Sequence, residues 1–218
     1  MTDNRIVFDT VRPWLDAKGF APERIAALDA ALATFKTGVS PATPAPVEMS
    51  AFDTAIEAHL RIEEGDKARA YKDHLGYWTI GIGRLIDARK GGRITEAEKA
   101  ILLANDPSRA GGTIMDWTLT PAERSMLLKN DVKRFTDAMR EWPAWRRVQG
   151  DIPRMVAMTS MCFQMGPGDD GFGGFVNTLK MIAAGQFSAA ADNMLKSLWA
   201  KQTPARAQRV AAMMRAGK

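Results

Sequence analysis

The stretch EEGDKARAYKDHLGYWTIGIG, residues 63–83, places two carboxyl groups and a hydroxyl at spacings that can do chemistry. Glu64 and Asp73 are nine positions apart, and Thr79 follows six positions later. Two carboxyl groups facing across a cleft are what cleavage of a glycosidic bond needs. One must be protonated, to give its proton to the leaving oxygen. The other must be ionised, to activate water or to stabilise an oxocarbenium-like transition state. Spacing alone leaves a bland alternative open, because a solvated loop in a chain with 25 acidic residues could hold the same pair.

The flanking sequence supplies elements that can bring the three together. SAFDTAIEAHLRIEE reads as a helix with Ser50 as N-cap and Asp53 three positions on. Its apolar side is expected from Phe52, Ile56, His59, Leu60 and Ile62, and Gly65 is placed to end it. From Ala70 to Ile86 the pattern changes to short β-like alternation, with Asp73 and Gly76 as turn residues. A helix end feeding a tight hairpin can fold Glu64 back toward Asp73 and Thr79. At that helix end Glu64 is expected to be partly desolvated, which suits an acid, whereas Asp73 beside Lys72 in a polar turn suits the ionised partner. Past residue 94 the patterns are helical, so the fold class is α+β and predominantly helical, with one small sheet.

Composition narrows the alternatives. The chain has 218 residues, 46% hydrophobic and 25% charged, with no apolar run long enough to span a bilayer. MTDNRIVFDTVRPWLDAKG is interrupted by Asp9, Arg12 and Asp16, so it does not read as a secretory signal, and a cytoplasmic protein is expected. One cysteine, Cys162, and two histidines, His59 and His74, cannot assemble the usual zinc sets, so no metal and no cofactor are expected. GVSPATPAPVEM reads as a proline-rich linker over 38–49, preceded by a helical module at 1–37 and followed by the main domain at 50–218. The net charge of +5 is uneven: residues 1–49 hold five basic and six acidic side chains, leaving +6 for the remainder. Lys196, Lys201, Arg206, Arg209, Arg215 and Lys218 make the C-terminus basic. Such a face suits an anionic wall or outer-membrane surface, or else is simply solvated.

These residues also resemble a known family. Glu, eight residues, Asp, five residues, then Thr-Ile-Gly-Ile-Gly is similar to the active-site hairpin of the phage-type lysozymes, or endolysins. LTPAERSMLLKNDV, CFQMG, GGFVNTLKMI, AAADNMLKSLWAKQTPARAQRV and RAG continue the resemblance in order, over roughly residues 50–217. The resemblance implies a two-lobed, lysozyme-like domain that hydrolyses the β-1,4 bond between N-acetylmuramic acid and N-acetylglucosamine in peptidoglycan. It implies Glu64 as general acid, Asp73 as the second carboxylate and Thr79 as the holder of the attacking water. Leu85, Phe163, Gln164, Thr178 and Asn193 fall at glycan-contact positions. Inversion is expected, which requires carboxyl groups roughly 6.5–9.5 Å apart. A monomer released to the wall by a holin-type pore is also implied. Two departures stand out. Arg84 replaces a His of the family's type member and cannot titrate, and the segment from Asp87 to Trp117 is longer than its counterpart.

Other features read structurally. GPGDDGFGG (166–174) lacks the ligand pattern of a calcium loop and is expected to be a glycine-rich turn. Trp199, Cys162, Met155, Met158, Met161 and Met165 are expected in the core, and His59 and His74 as structural or solvated residues. Two competing functions remain from sequence. One is a glycan-binding or structural protein that retains the fold without hydrolysis. The other is a nucleic-acid binder, suggested by the basic charge but without any motif for base readout and with no specific nucleic-acid partner expected.

Overall fold

The computed structural model describes residues 50–73 and 75–217. The expected module at 1–37, the linker at 38–49, His74 and Lys218 lie outside the described residues.

The first helix, α1 (Ala51–Glu64), opens with a capping box: the Ser50 hydroxyl accepts the Asp53 amide while the Asp53 carboxylate accepts from the Ser50 backbone. Ile56 and Leu60 are buried on its inner side, but Ile62 faces solvent, off the stripe set by the helical period. Gly65, at φ +75°, closes the helix, and its amide returns to the Arg61 carbonyl. Three short strands follow: β1 (Lys67–Lys72), β2 (Trp78–Gly81) and β3 (Arg84–Leu85), antiparallel in the order β1-β2-β3. The sheet starts three residues earlier than the alternation suggests, because Lys67–Arg69 add a first rung. Tyr71 pairs with Thr79 and Lys72 with Trp78, and Thr79 pairs with Leu85 across the other edge.

The rest is helical: α2 (Glu96–Asn105), α3 (Pro121–Met139), α4 (Pro143–Val148), α5 (Ile152–Met165), α6 (Val176–Ala183), α7 (Phe187–Leu195), α8 (Leu198–Gln202) and α9 (Pro204–Ala216). Capping boxes at Thr95/Glu98 and Thr120/Glu123 start α2 and α3. The apolar interior forms three clusters. One lies under the sheet, from Ile80, Leu102, Trp117, Leu119 and Leu127. A second joins α1, α3 and α5 through Ile56, Leu60, Leu128, Val132 and Val156. The largest fills the space around α5 and the C-terminal helices, with Met158, Met161, Cys162, Phe172, Ile182, Met194, Val210 and Met214 fully buried. Helix α3 takes part in all three, contributing Leu127 to the first, Leu128 and Val132 to the second and Met139 to the third. Its 19 residues make a rod of about 28 Å.

The charged residues between sheet and α3 are paired rather than solvated. Arg84, 5% exposed, donates to Glu98 Oε2 at 2.7 Å and to the Asp131 carboxylate, and its Nε reaches the Arg93 carbonyl. In the long segment from Asp87 to Trp117, Arg109 meets Glu123 with both nitrogens at 2.7 and 3.0 Å and stands 5.7 Å from the buried Trp117 ring. These pairs fix the sheet and its following loops to α3, which holds the hairpin beside the C-terminal end of α1.

Candidate active site

Glu64 is the last residue of α1, so its direction depends on what happens just after it. Gly65 ends the helix, and Asp66 then anchors the exit by pairing with Arg61 of α1 and with Arg124 of α3. Arg124 also donates to the Leu119 carbonyl at 2.6 Å. On the C-terminal side, Arg206 of α9 donates to Glu64 Oε1 at 2.5 Å while its other nitrogen donates to the Ser160 carbonyl and hydroxyl of α5, at 3.0 and 3.2 Å. Arg206 is buried, so this is an ion pair with an oriented donor. Opposite it lies Gly83, at φ +69°, where a Cβ would stand 2.9 Å from Glu64 Cγ and 3.1 Å from Oε2. Only glycine allows the backbone of the β2–β3 turn this close to the carboxyl.

Asp73 and Thr79 are placed by the hairpin. Asp73 Oδ1 accepts the Leu75 and Tyr77 amides at 2.9 and 2.8 Å, an Asx arrangement that makes the turn, and Gly76 completes it at φ +81°. Those two bonds fill Oδ1. Thr79 is buried, and its hydroxyl donates to the Tyr77 carbonyl over 3.4 Å, a long bond with which a water could compete. Tyr71 ties the three residues together. It stands directly across from Thr79 in the sheet. Burial pushes its phenol up, and the negative charges of both Glu64 and Asp73 push it further in the same direction. The half-buried phenol thus feels both carboxylates from its place across the sheet from Thr79.

The sequence model of the phage lysozyme family matches residues 61–215. The chain belongs to the phage lysozyme family. Probable T4-type lysozyme 1 of Dictyostelium discoideum is 32% identical over 171 residues, covering 75% of this chain and 95% of that protein. Probable T4-type lysozyme 2 of the same organism is 26% identical over 187 residues. The pre-baseplate central spike protein Gp5 of Enterobacteria phage T4 is 31% identical over 164 residues, which cover 72% of this chain but 27% of that protein. The match supports lysozyme-type glycan hydrolysis as the chemistry of this phage lysozyme domain.

The expected glycan-contact residues of this chain separate into two sets. A groove of about 780 Å³ is lined by Gln164, Asn193, Asn177, Phe175, Trp199 and Leu75, among others. It therefore brings together Gln164 and Asn193. Gln164 is held by Trp199, whose indole donates to its Oε1 at 2.7 Å. Thr178 is fully buried and meets the groove through Asn193, donating to Asn193 Oδ1 at 2.8 Å. Phe163 is half-buried, edge-on to Phe135 at 5.5 Å between centroids. Leu85 lies on β3 beside Thr79, with its Cγ 2.7 Å from the position a Gly92 Cβ would take. Neither lines that groove. Asn177, Tyr71, Gly83 and Arg206 were not singled out by sequence reasoning. The alternation around Tyr71 and the Gly-Ile-Gly run were visible signals for two of them. Arg206 carried none, since nothing local distinguishes it from the other C-terminal cations.

Proposed function

We propose that this lysozyme hydrolyses the β-1,4 bond between N-acetylmuramic acid and N-acetylglucosamine in peptidoglycan by direct attack of water. The observation that supports the reading is Glu64 held between Arg206 and the Gly83 turn of the same sheet that carries Thr79. Glu64, with Oε1 occupied by Arg206, presents Oε2 to the glycosidic oxygen and donates its proton there as the C1–O bond breaks. Asp73, with Oδ1 engaged by the turn amides, uses its other oxygen to take a proton from water held at the Thr79 hydroxyl. That water attacks C1 from the opposite face, giving a reducing-end sugar of inverted configuration and a free 4-hydroxyl on the leaving sugar. Gln164 and Asn193 supply polar contacts to the glycan along the groove.

The biological reading is an endolysin that accumulates in the host cytoplasm, passes a holin-type pore and lyses the cell. It is supported by the resemblance to phage enzymes and by the absence, among the described residues, of any helix long and apolar enough to cross a membrane. No cofactor is needed for this chemistry, and a monomer suffices, since the three reacting groups come from one chain. Clearing of purified bacterial cell walls by the wild type, against Glu64→Gln and Asp73→Asn, tests the hydrolase. Both variants are expected to fall by about 100-fold or more. Clearing by Glu64→Gln at the wild-type rate would leave the glycan-binding alternative. Proton NMR of the first product sugar tests the stereochemistry, and initial appearance of the β-anomer would overturn direct attack.

A further inference from the structure

A polar chain runs from α1 through α5 and α9 back to Glu64, and the mechanism above uses only its last link. It starts at His59, one helical turn before Glu63 and five residues before Glu64, with a side chain 10% exposed. His59 Nε2 lies 2.8 Å from the Ser160 hydroxyl. The same hydroxyl accepts from Arg206 Nη2 at 3.2 Å, and Arg206 Nη1 donates to Glu64 Oε1 at 2.5 Å. The remaining donor of the guanidinium, Nε, is buried with no partner among the described residues. The place of Arg206 therefore rests on Ser160 at one end and Glu64 at the other.

We propose that His59 is a positioning residue for the hydrolysis, setting Glu64 through Ser160 and Arg206 and releasing it when the imidazole takes up a proton. The inference rests on the reading of Glu64 as the general acid. A serine hydroxyl has one proton and two lone pairs. With His59 neutral and its proton on Nδ1, Nε2 accepts the Ser160 proton, which leaves the Ser160 lone pairs for Arg206. With His59 protonated, Nε2 becomes a donor that takes one Ser160 lone pair, the Ser160 proton must turn away, and Arg206 is left the other lone pair beside the Ser160 carbonyl at 3.0 Å. The imidazolium also adds a third positive charge to a site that already holds two. The charged groups facing His59 are Glu63 on α1, at 3.8 Å, and Arg206 and Arg209 on α9, while α5 contributes the Ser160 hydroxyl. Glu63 is itself committed to Arg209, at 2.7 and 2.8 Å, so it offsets the new charge only in part. Burial lowers the proton affinity of His59, Glu63 raises it, and both arginines lower it, with a net downward direction. The neutral ring is thus the working form near neutrality, and the change falls on the acid side of the ordinary histidine range.

The test uses the full chain and soluble linear oligomers of alternating N-acetylmuramic acid and N-acetylglucosamine. Rates are measured from acid to neutral pH, with melting temperature recorded at each pH. In the wild type log(kcat/KM) is expected to drop by an added step of about threefold to tenfold on the acid side of the ordinary histidine range, as His59 takes up its proton. His59→Gln, whose amide oxygen can accept from Ser160 but does not titrate, is expected to lack that step. His59→Leu leaves the Ser160 proton without an acceptor and is expected to lower kcat about threefold to tenfold with KM unchanged. His59→Gln is expected to recover most of that loss. The same acid step in the wild type and in His59→Gln overturns the proposal, as does a His59→Leu variant that loses melting temperature but keeps kcat. If His59→Leu does not fold, the pH profile of His59→Gln decides alone. A fully active Glu64→Gln would instead remove the underlying acid assignment, an outcome distinguishable because it does not involve His59.

Discussion

At the level of single residues, the site depends on two contacts to Glu64, one of them from far away in the chain. Arg206 reaches Glu64 across 142 positions, and Gly83 lies against the other side of the carboxyl. Gly83→Ala tests the second contact. It forces an alanine into positive φ, at a cost of roughly 1–2 kcal/mol, and pushes Glu64 off its line. We expect a loss of about tenfold to a hundredfold in kcat, with a far smaller change in melting temperature than in rate. Similar losses in rate and stability would mean that Gly83 serves the turn alone. The proposed trio of Glu64, Asp73 and Thr79 was named from the sequence through its resemblance to the phage-type lysozyme hairpin, since spacing alone left a solvated loop open. Arg206, which holds Glu64, was not, since an ion pair between positions 64 and 206 leaves no local pattern. The expected desolvation of Glu64 missed the same partner.

At the level of elements, two buried arginines clamp α3, and the carboxylates they pair with shift in opposite senses. Glu123 is pushed up by burial, but hydrogen bonds from Arg109, Thr120 and Asn105 outweigh that and bring it down to about 2. Its unfolded value is near 4.3, so its contribution is complete above that value and disappears as pH falls toward about 2. Asp131 shifts the other way, raised by burial despite Arg84 and Arg134 beside it. Its folded form holds the proton to higher pH than the unfolded chain, so its contribution is present at acid pH and diminishes as pH rises through the raised value. Replacing Arg84 by Met removes the cation shared by Glu98 and Asp131. We expect a loss of about 3–5 kcal/mol near neutrality, and a urea midpoint that improves toward pH 4. A midpoint independent of pH in Arg84→Met would show that solvent, not Arg84, neutralises these carboxylates. The helices were readable from capping boxes at Ser50, Thr95 and Thr120. The fork of Arg84 was readable only as a charge that cannot titrate, because its partners are 14 and 47 residues away.

At the scale of the whole molecule, the basic C-terminus is less free than its composition suggests. Arg206, Arg209 and Arg215 pair with Glu64, Glu63 and Asp192, so removing them is expected to cost stability and geometry before any surface binding. Lys196, on the groove, and Lys201 are exposed. The proposed attraction to anionic walls therefore falls on them. Lys196→Ser/Lys201→Ser is expected to weaken wall binding severalfold at low salt and little at high salt, where the Debye length shrinks to a few ångströms. A pelleting assay with purified walls checks this, and equal weakening at both salt levels would point to a direct glycan contact instead. The α+β class and the order of elements follow from hydrophobic period and turn chemistry. The division of the interior into three clusters, with α3 joining them, does not, because it depends on which faces meet in three dimensions.

Cys162 gives this arrangement a practical use. It is the chain's single thiol, fully buried in α5 at the centre of the largest cluster, and burial pushes it up to about 12, with Arg134 a weaker opposing influence. In the native state it is therefore both sealed and unreactive. A thiol reagent can label it only after the helical interior opens, so the labelling rate is a built-in clock for opening of that region. Run with and without a bound glycan, the same clock reports how tightly the occupied groove holds the helices together, with no probe introduced into the protein.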